Sequence, residues 1–355
     1  MTTSFEVNYQ NKLESLAQKN VISEEQLSHF LNRGVQVISP KHNFGLESLQ
    51  KYLPEIVIGA SQKYIERMTV PYQATSFIAA NTNRDRKGPY IFKIPGKHSG
   101  GISLLTGGSR KPGDNIFAST HRILIGYKAV MVSGANLIVN KDKVWDWQFF
   151  GNYFKSYDPD VYEDLSRLID KTGISKAPAY YVVVCRSDAT FKRLKIVEEY
   201  MNNRIAVLNP INNIKVIFLT NRLGYEYASK SIIESDLINY VITGNDFNIS
   251  EAMVRLRKDY NIDIMLNDGG RQMSNGIRNA GLIGEERITL EPSPGYDILP
   301  EEIDPTSILG VEGIGLDESE IEGGILLHST KIDDEFANVY VYPLDDKRVM
   351  SNLFK

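Results

Sequence analysis

The stretch Asn261–Pro292, "NIDIMLNDGGRQMSNGIRNAGLIGEERITLEP", runs from a short apolar segment through two glycines into an amphipathic segment, and then into a second apolar run. Just before it, "EAMVRLRKDY" carries apolar residues at helical spacing, so the order reads helix, buried strand, glycine turn, helix, strand. In an open α/β sheet, ligands gather at the carboxyl ends of strands. Glycine there lets a phosphate approach the backbone, and the next helix offers free N–H groups. Asp268, Gly269 and Gly270 occupy such a strand end. Two readings stand at this point: a nucleotide site, or a tight turn in which the glycines adopt positive φ.

Outward from this stretch, the chain from Tyr72 on alternates short apolar runs with amphipathic or turn-rich segments. The strand candidates are "YQATSFIAA", "AVMVSG", "AYYVVVCRS", "IKVIFLTNR", "INYVITG", "IDIMLND", "ERITLEP" and "NVYVYPL". Several are nearly continuous in Val, Ile and Leu, as strands covered on both faces require. Helix candidates lie between them: "ATFKRLKIVEEYMNNR", "YASKSIIES", "ISEAMVRLRKDY" and "MSNGIRNAGL". This alternation predicts an α/β, three-layer domain with a mostly parallel central sheet. Two long segments, "IPGKHSGGISLLTGGSRKPGDN" and "GNYFKSYDPDVYEDLSRLIDKTGISKAP", read as irregular insertions of the kind that build binding surfaces.

Residues 1–68 differ in texture and read as a helical N-terminal extension, ahead of a domain spanning 69–355. Ser23 and Gln26 are spaced as a capping box, Gly34 closes that helix, and Pro54 interrupts the next. The first twenty residues lack the basic-then-apolar order of a signal peptide, and no run reaches the roughly 20 apolar residues a membrane span needs. A soluble, cytoplasmic protein is expected.

Composition excludes several functions. Forty Lys and Arg against 44 Asp and Glu give a net charge of -4, so no basic field draws in nucleic acid. Cys185 is the only cysteine, which rules out an intrachain disulfide or a cysteine cluster; inside "AYYVVVCRSD" it reads as a small buried hydrophobe. His29, His42, His98, His121 and His328 are scattered, and no metal site is expected. GxGxxG after a strand, GxxxxGK[ST] and the zinc-deaminase pattern are all missing, which disfavours standard dinucleotide folds and phosphate loops.

The residues of the opening stretch resemble the reductase domain of riboflavin biosynthesis, the C-terminal part of bifunctional deaminase-reductases, which has a dihydrofolate-reductase-like fold. That family carries a strand ending in Glu-Gly-Gly, a short helix, and then an Ala-Gly-Leu segment leading into an acidic residue, a proline and a glycine. Here Asp268 takes the glutamate's place, Gly269 and Gly270 match, and Ala280-Gly281-Leu282, Glu285, Pro292 and Gly295 fall in register. A second segment, "THRILIGYKAVMVSGANLIVNKD", retains His121, Arg122, Ala129, Val130, Gly134 and Ala135 of the family's earlier helix and strand. The closing "GGILLHSTKIDDEFANVYVYPL" is similar to its final strand pair, so the resemblance covers residues 70–345 or so. The departures are Leu124 for an arginine, Asn136 for a threonine and Asn140 for an aspartate, positions largely on the family's substrate side.

The resemblance implies an NADPH-dependent homodimer that reduces a phosphorylated ribosylaminopyrimidine to its ribitylamino product. Gly269, Gly270, Arg271 and Gln272 would face the cofactor pyrophosphate, and Asp268 the junction of cofactor and substrate. Arg186, Ser187, Thr220, Asn221 and Arg222, at two further strand ends, would hold the adenosine ribose and its phosphate, since arginine suits such an anion. Gly134 would line the cofactor, and Asn136 and Asn140 the substrate. Turn or capping roles compete for both asparagines. Trp145 and Trp147 are either ring-stacking or core residues. Rival expectations are a same-fold reductase acting on another heterocycle and a non-catalytic nucleotide-binding protein.

Overall fold

The computed structural model describes residues 4–80, 116, 119–120, 122–123, 125–141, 146–173, 175–209, 213–269, 271–291, 324–332 and 335–342. His98, His121, Leu124, Trp145, Gly270, Pro292, Gly295 and the first of the two long insertions lie outside these residues. So do the side chains of Arg271 and Gln272.

The N-terminal extension comprises α1 (Ser4–Gln18), α2 (Glu24–Arg33), β1 (Gln36–Ile38), α3 (Pro40–Phe44), α4 (Glu47–Tyr52), β2 (Ile56–Ile58) and α5 (Gln62–Arg67). The capping box forms as expected: the Ser23 hydroxyl accepts from the Gln26 amide at 3.1 Å, and the Gln26 side chain accepts from the Ser23 amide at 2.9 Å. Gly34 ends the helix at φ 63°, a backbone region that costs glycine little. The extension is not wholly helical, because the β-branched runs at β1 and β2 pair antiparallel, with Val37 opposite Val57.

The main body follows as β3 (Tyr72–Ala80), β4 (Ala129–Ser133), α6 (Gly134–Val139), α7 (Trp147–Tyr157), α8 (Pro159–Thr172), β5 (Tyr180–Val184), α9 (Asp188–Arg193), α10 (Ile196–Met201), β6 (Lys215–Thr220), α11 (Arg222–Ala228), β7 (Ile238–Ile242), α12 (Ile249–Tyr260), β8 (Ile264–Asn267), α13 (Arg271–Asn279), β9 (Ile283–Glu291), β10 (Ile325–Ile332) and β11 (Glu335–Val341). Nine strands form one sheet in the order β10-β11-β9-β3-β8-β4-β5-β6-β7. Strands β9, β3, β8, β4, β5, β6 and β7 run parallel, and β11 and β10 join antiparallel at one edge. This is the expected α/β architecture with a mostly parallel sheet, and the expected apolar runs form the strands.

Helices cover both faces. Ring contacts of Phe191 with Phe218 and of Tyr225 with Tyr240 put α9 and α11 on one face. Tyr180 against Tyr260, and Asn267 bonded to Ser274, put α12 and α13 on the other. One core cluster fills these layers. A second gathers Leu13, Phe30 and Leu49 of the extension, Phe154, Leu165 and Leu168 of α7 and α8, and Val339 and Val341 of β11. Each such side chain contributes roughly 1.5–3 kcal/mol relative to an exposed one.

Three expected elements differ. The segment 151–178, read as irregular, is largely the helices α7 and α8. Asp158 caps α8, Pro159 suits its first turn, and Gly173 stops it at φ 65°. The single helix expected at 189–204 breaks into α9 and α10 at Lys195, whose φ is 52°. The helix expected at 227–235 starts earlier and ends at Ala228, because Asn221 supplies its N-cap.

The extension is tied to the sheet by buried polar groups. Arg33, fully buried, donates to the Tyr72 phenol at 2.6 Å and to the carbonyls of Gly284 and Tyr342. Tyr72 donates onward to Glu285 at 2.9 Å, and Glu285 also accepts from the Gly59 amide at 2.9 Å and from Arg287. Buried charges persist only when paired and hydrogen-bonded in this way. Gly59 and Gly284 admit the network: a Cβ on Gly284 would sit 2.4 Å from the Tyr72 ring, and one on Gly59 would sit 2.3 Å from Val341.

Candidate functional site

The connections leaving β4 and β8 diverge. From β4 the chain proceeds through α6 towards β5, whereas from β8 it proceeds through α13 to β9, beyond β3. Neighbouring strands whose outgoing connections part in this way leave a crevice at their carboxyl ends, the usual ligand position in open α/β sheets. Ser133 and Gly134 stand on one side of this switch point, Asp268 and Gly269 on the other.

The Asp268 turn is held from three directions. The Asp268 amide donates to the Met131 carbonyl at 2.8 Å, and the Asn136 side-chain amide donates to the Asp268 carbonyl at 2.7 Å. The Asn267 carboxamide accepts from the Gly269 amide at 3.1 Å and donates to Thr75 at 3.1 Å and Ser274 at 3.3 Å. Asn267 is fully buried, so β3, the turn and α13 are fastened through one side chain. The Asp268 side chain is half-buried. Burial, reinforced by the Asp268 charge, pushes the Tyr181 phenol well above its usual range.

Gly269 is not at positive φ, so the turn does not need glycine for its backbone angle. The reason is space: a Cβ there would fall 1.5 Å from Met273 Cε and 3.0 Å from Met273 Cβ. Gly134 is likewise a packing glycine, its missing Cβ facing Cys185 at 3.0 Å and Ile196 at 3.1 Å on the buried side of α6.

The neighbouring strand ends carry the cationic residues. Arg186, exposed after β5, extends its guanidinium towards α13, where Nη2 lies 3.6 Å from the position of a Cβ on Gly276. Arg222, also exposed, begins α11 and donates its amide to the Gly244 carbonyl at 2.7 Å. Ser187 makes no capping hydrogen bond at the start of α9. The donor set of two exposed guanidiniums, a serine hydroxyl and a close-packed glycine turn along adjacent strand ends fits a phosphorylated nucleotide.

Other expected contacts acquire structural roles. Asn221 is buried, caps α11 by accepting from the Gly224 amide at 2.9 Å, and donates to the Asn245 carbonyl at 2.8 Å. Thr220 is fully buried, and its hydroxyl has no hydrogen-bond partner among the described residues. A Cβ on Gly224 would lie 2.0 Å from that hydroxyl and 3.1 Å from the Ser187 carbonyl carbon. Asn136 sits in the first turn of α6, its own amide donating to Ser133 at 3.1 Å, and Asn140 closes the same helix. Trp147 stacks on Tyr162 at 5.6 Å and packs against the second core. Cys185 is fully buried, and burial pushes its thiol far up, as a packing residue requires.

The structure therefore brings Asp268, Gly269 and Asn136 together, with Arg186 reaching α13. Ser133, Asn267, Thr75 and Ser274 also belong to the site although the sequence reading did not single them out. The available signals were a polar residue ending the apolar run "IDIMLN" and the Ser-Gly pair ending "AVMVSG". Among the described residues, no group of three or more His, Cys, Asp or Glu is placed to hold a metal, and no helix is long and apolar enough to cross a membrane.

No protein-family model and no curated protein matches the chain. Solved structures with a similar chain path include the riboflavin biosynthesis reductase Rib7 of Saccharomyces cerevisiae, which is 12% identical over 83% of this chain and 97% of that one, with a TM-score of 0.40. RibD of Acinetobacter baumannii is 13% identical over 79% of this chain, with a TM-score of 0.42, and the match spans 61% of the RibD chain. A pyrimidine reductase-like protein of Corynebacterium diphtheriae is 11% identical over 83% of this chain and 98% of that one, with a TM-score of 0.46.

Proposed function

We propose that this protein is a reductase that binds a nicotinamide nucleotide, NADPH in preference to NADH, across the carboxyl ends of β8, β4, β5 and β6, and works as a homodimer on a small phosphorylated heterocycle. The observation that carries the reading is the switch-point turn at Asp268 and Gly269, pinned to β4 and α6, with the Arg186 guanidinium spanning to α13. Arg186 and Arg222 would hold phosphate charge, Ser187 would accept or donate at the ribose, and the Asp268 carboxylate would meet the substrate.

A bound reduced nicotinamide supplies the hydride. The chain's own part is to orient and to exclude water: the fixed Asp268 turn sets where two rings meet, and Asp268 accepts a hydrogen bond from a ring N–H or sugar hydroxyl of the substrate. The substrate that the sequence resemblance implies is a ribosylaminopyrimidine phosphate, whose anomeric carbon would take the hydride as its ring C–O bond opens, the released oxygen taking a proton from solvent, to give the ribitylamino product.

Another heterocycle as substrate is the second reading, and one observation favours it. The Asn136 amide is engaged with the Asp268 carbonyl and Asn140 closes α6, at two positions where the related family has other residues. The test is to mix the purified protein with NADPH or NADH and the ribosylaminopyrimidine phosphate, and to follow the near-ultraviolet absorbance of reduced nicotinamide. Turnover with NADPH supports the first reading. Nucleotide binding, read separately by fluorescence, without oxidation supports the second reading or a non-catalytic nucleotide-binding protein, and no nucleotide binding defeats both enzyme readings.

A further inference from the structure

We propose that Asn136 is a positioning residue: its side-chain amide sets the Asp268 turn, acting on the ligand through that turn and not by touching it. The proposal rests on the nucleotide-binding reading above for its effect on affinity, but its structural half stands alone. The geometry is specific. Asn136 is half-buried, in the first turn of α6, where Ser133 accepts its backbone amide at 3.1 Å and so fixes where its side chain starts. From there the carboxamide reaches 2.7 Å to the carbonyl of a residue 132 positions later in the chain.

That bond completes a set. The Asp268 amide is already given to Met131 at 2.8 Å, so β4 and α6 between them hold both the backbone N–H and the backbone C=O of Asp268. Asn267 holds the next amide, at Gly269, and ties it to β3 and α13. Among the described residues, the Asn136 side chain thus ties α6, which leaves β4, to the turn between β8 and α13. A side chain spent on a backbone carbonyl at 2.7 Å has that donor hydrogen committed, and the second hydrogen of the amide lies in the same plane.

The mechanism is pre-organisation. A ligand that bridges α6 and this turn binds best when their separation is already set, because otherwise it must order the turn itself and loses affinity by the fraction of molecules in the competent arrangement. Removing the donor while keeping the shape is therefore the informative change. Asn136→Asp replaces the amide by a carboxylate facing a carbonyl oxygen, whereas Asn136→Gln keeps the amide on a longer arm.

The experiment measures two things on full-length wild type, Asn136→Asp and Asn136→Gln. The first is amide hydrogen exchange in the ligand-free protein; the second is the dissociation constant for NADPH. Positioning predicts that Asn136→Asp raises exchange about tenfold in peptides covering 266–277, leaves peptides from β6 and β7 unchanged, and weakens NADPH about tenfold. Asn136→Gln should restore a large part of both. If NADPH weakens in Asn136→Asp while ligand-free exchange at 266–277 is unchanged, Asn136 touches the ligand directly and the proposal is overturned. Unchanged exchange and unchanged affinity overturn it too, as does faster exchange throughout the chain. If wild type binds no NADPH, the proposed function fails, and the exchange comparison alone decides the positioning role.

Discussion

Replacing Arg33 by methionine should cost about 3–5 kcal/mol of stability, and the figure follows from what the guanidinium does. It is fully buried at the end of α2 and donates to the Tyr72 phenol and to the Gly284 and Tyr342 carbonyls, from the extension into β3, β9 and the segment after β11. Methionine fills much of the arginine stem, so the cavity left behind is small and the change isolates the polar loss. Each charge-assisted bond is worth roughly 1.5–3 kcal/mol, but removing the arginine also relieves its own burial. The net therefore sits near about 3–5 kcal/mol, because two buried carbonyls and a buried phenol each lose a donor, at roughly 1–3 kcal/mol apiece, less the relief of the guanidinium's own burial. Arg33→Lys should recover little, because one ammonium cannot span three acceptors arranged around a planar fork. The assay is urea denaturation followed by far-ultraviolet circular dichroism and tryptophan fluorescence. Trp147 lies against the second core, so fluorescence reports on the region the extension shares with α7 and α8. A loss below about 1 kcal/mol for Arg33→Met would show that the buried guanidinium holds the extension no more firmly than an isolated surface contact does.

Further expectations follow from single contacts. Gly224→Ala places a methyl 2.0 Å from the Thr220 hydroxyl and 3.1 Å from the Ser187 backbone, so it should destabilise by about 1–3 kcal/mol in the same denaturation assay. Cys185 should resist thiol reagents in the folded protein and react only in denaturant, since it is fully buried with its thiol pushed up; rapid labelling of native protein would contradict this. Alkaline pH should destabilise the fold. Burial pushes the Tyr9 phenol up to about 12, and Tyr72, Tyr181, Tyr240 and Tyr342 are also raised, so the folded state keeps protons that the unfolded chain releases above about 10. That stability is fully present below pH 10 and is lost as pH rises through the folded values, about 2–3 kcal/mol from Tyr9 alone. Ultraviolet titration of phenolate should show these tyrosines ionising only as the protein unfolds.

The strands were legible because parallel strands buried on both faces leave continuous Val and Ile runs, and β5 and β6 are the plainest cases. The capping box at Ser23 was legible because it is written within four residues. The Asp268 turn was legible as a strand end, but the reason for its first glycine was not. Gly269 answers to the Met273 side chain, Gly134 to Cys185, and Gly224 to Thr220 and Ser187, each a packing demand that depends on tertiary contact. Asn136 carried the same difficulty in stronger form, since its partner lies 132 residues away. Nothing in the sequence singles out Arg33, because a basic residue in the last turn of an exposed helix is ordinary, and only the fold turns it inward. The helices α7 and α8 were hidden by their aromatic and turn-forming residues, although Asp158, Pro159 and Gly173 mark the ends of the second.

Whether a nucleotide binds at the strand ends around Asp268 is decided by titrating NADPH onto wild type and Arg186→Glu and following nicotinamide fluorescence. A nucleotide held there gives saturable binding to wild type and a loss of about tenfold or more in affinity when the charge facing α13 is reversed, with the denaturation midpoint unchanged because Arg186 is exposed. Equal affinity in the two proteins, or no binding to wild type, would contradict it.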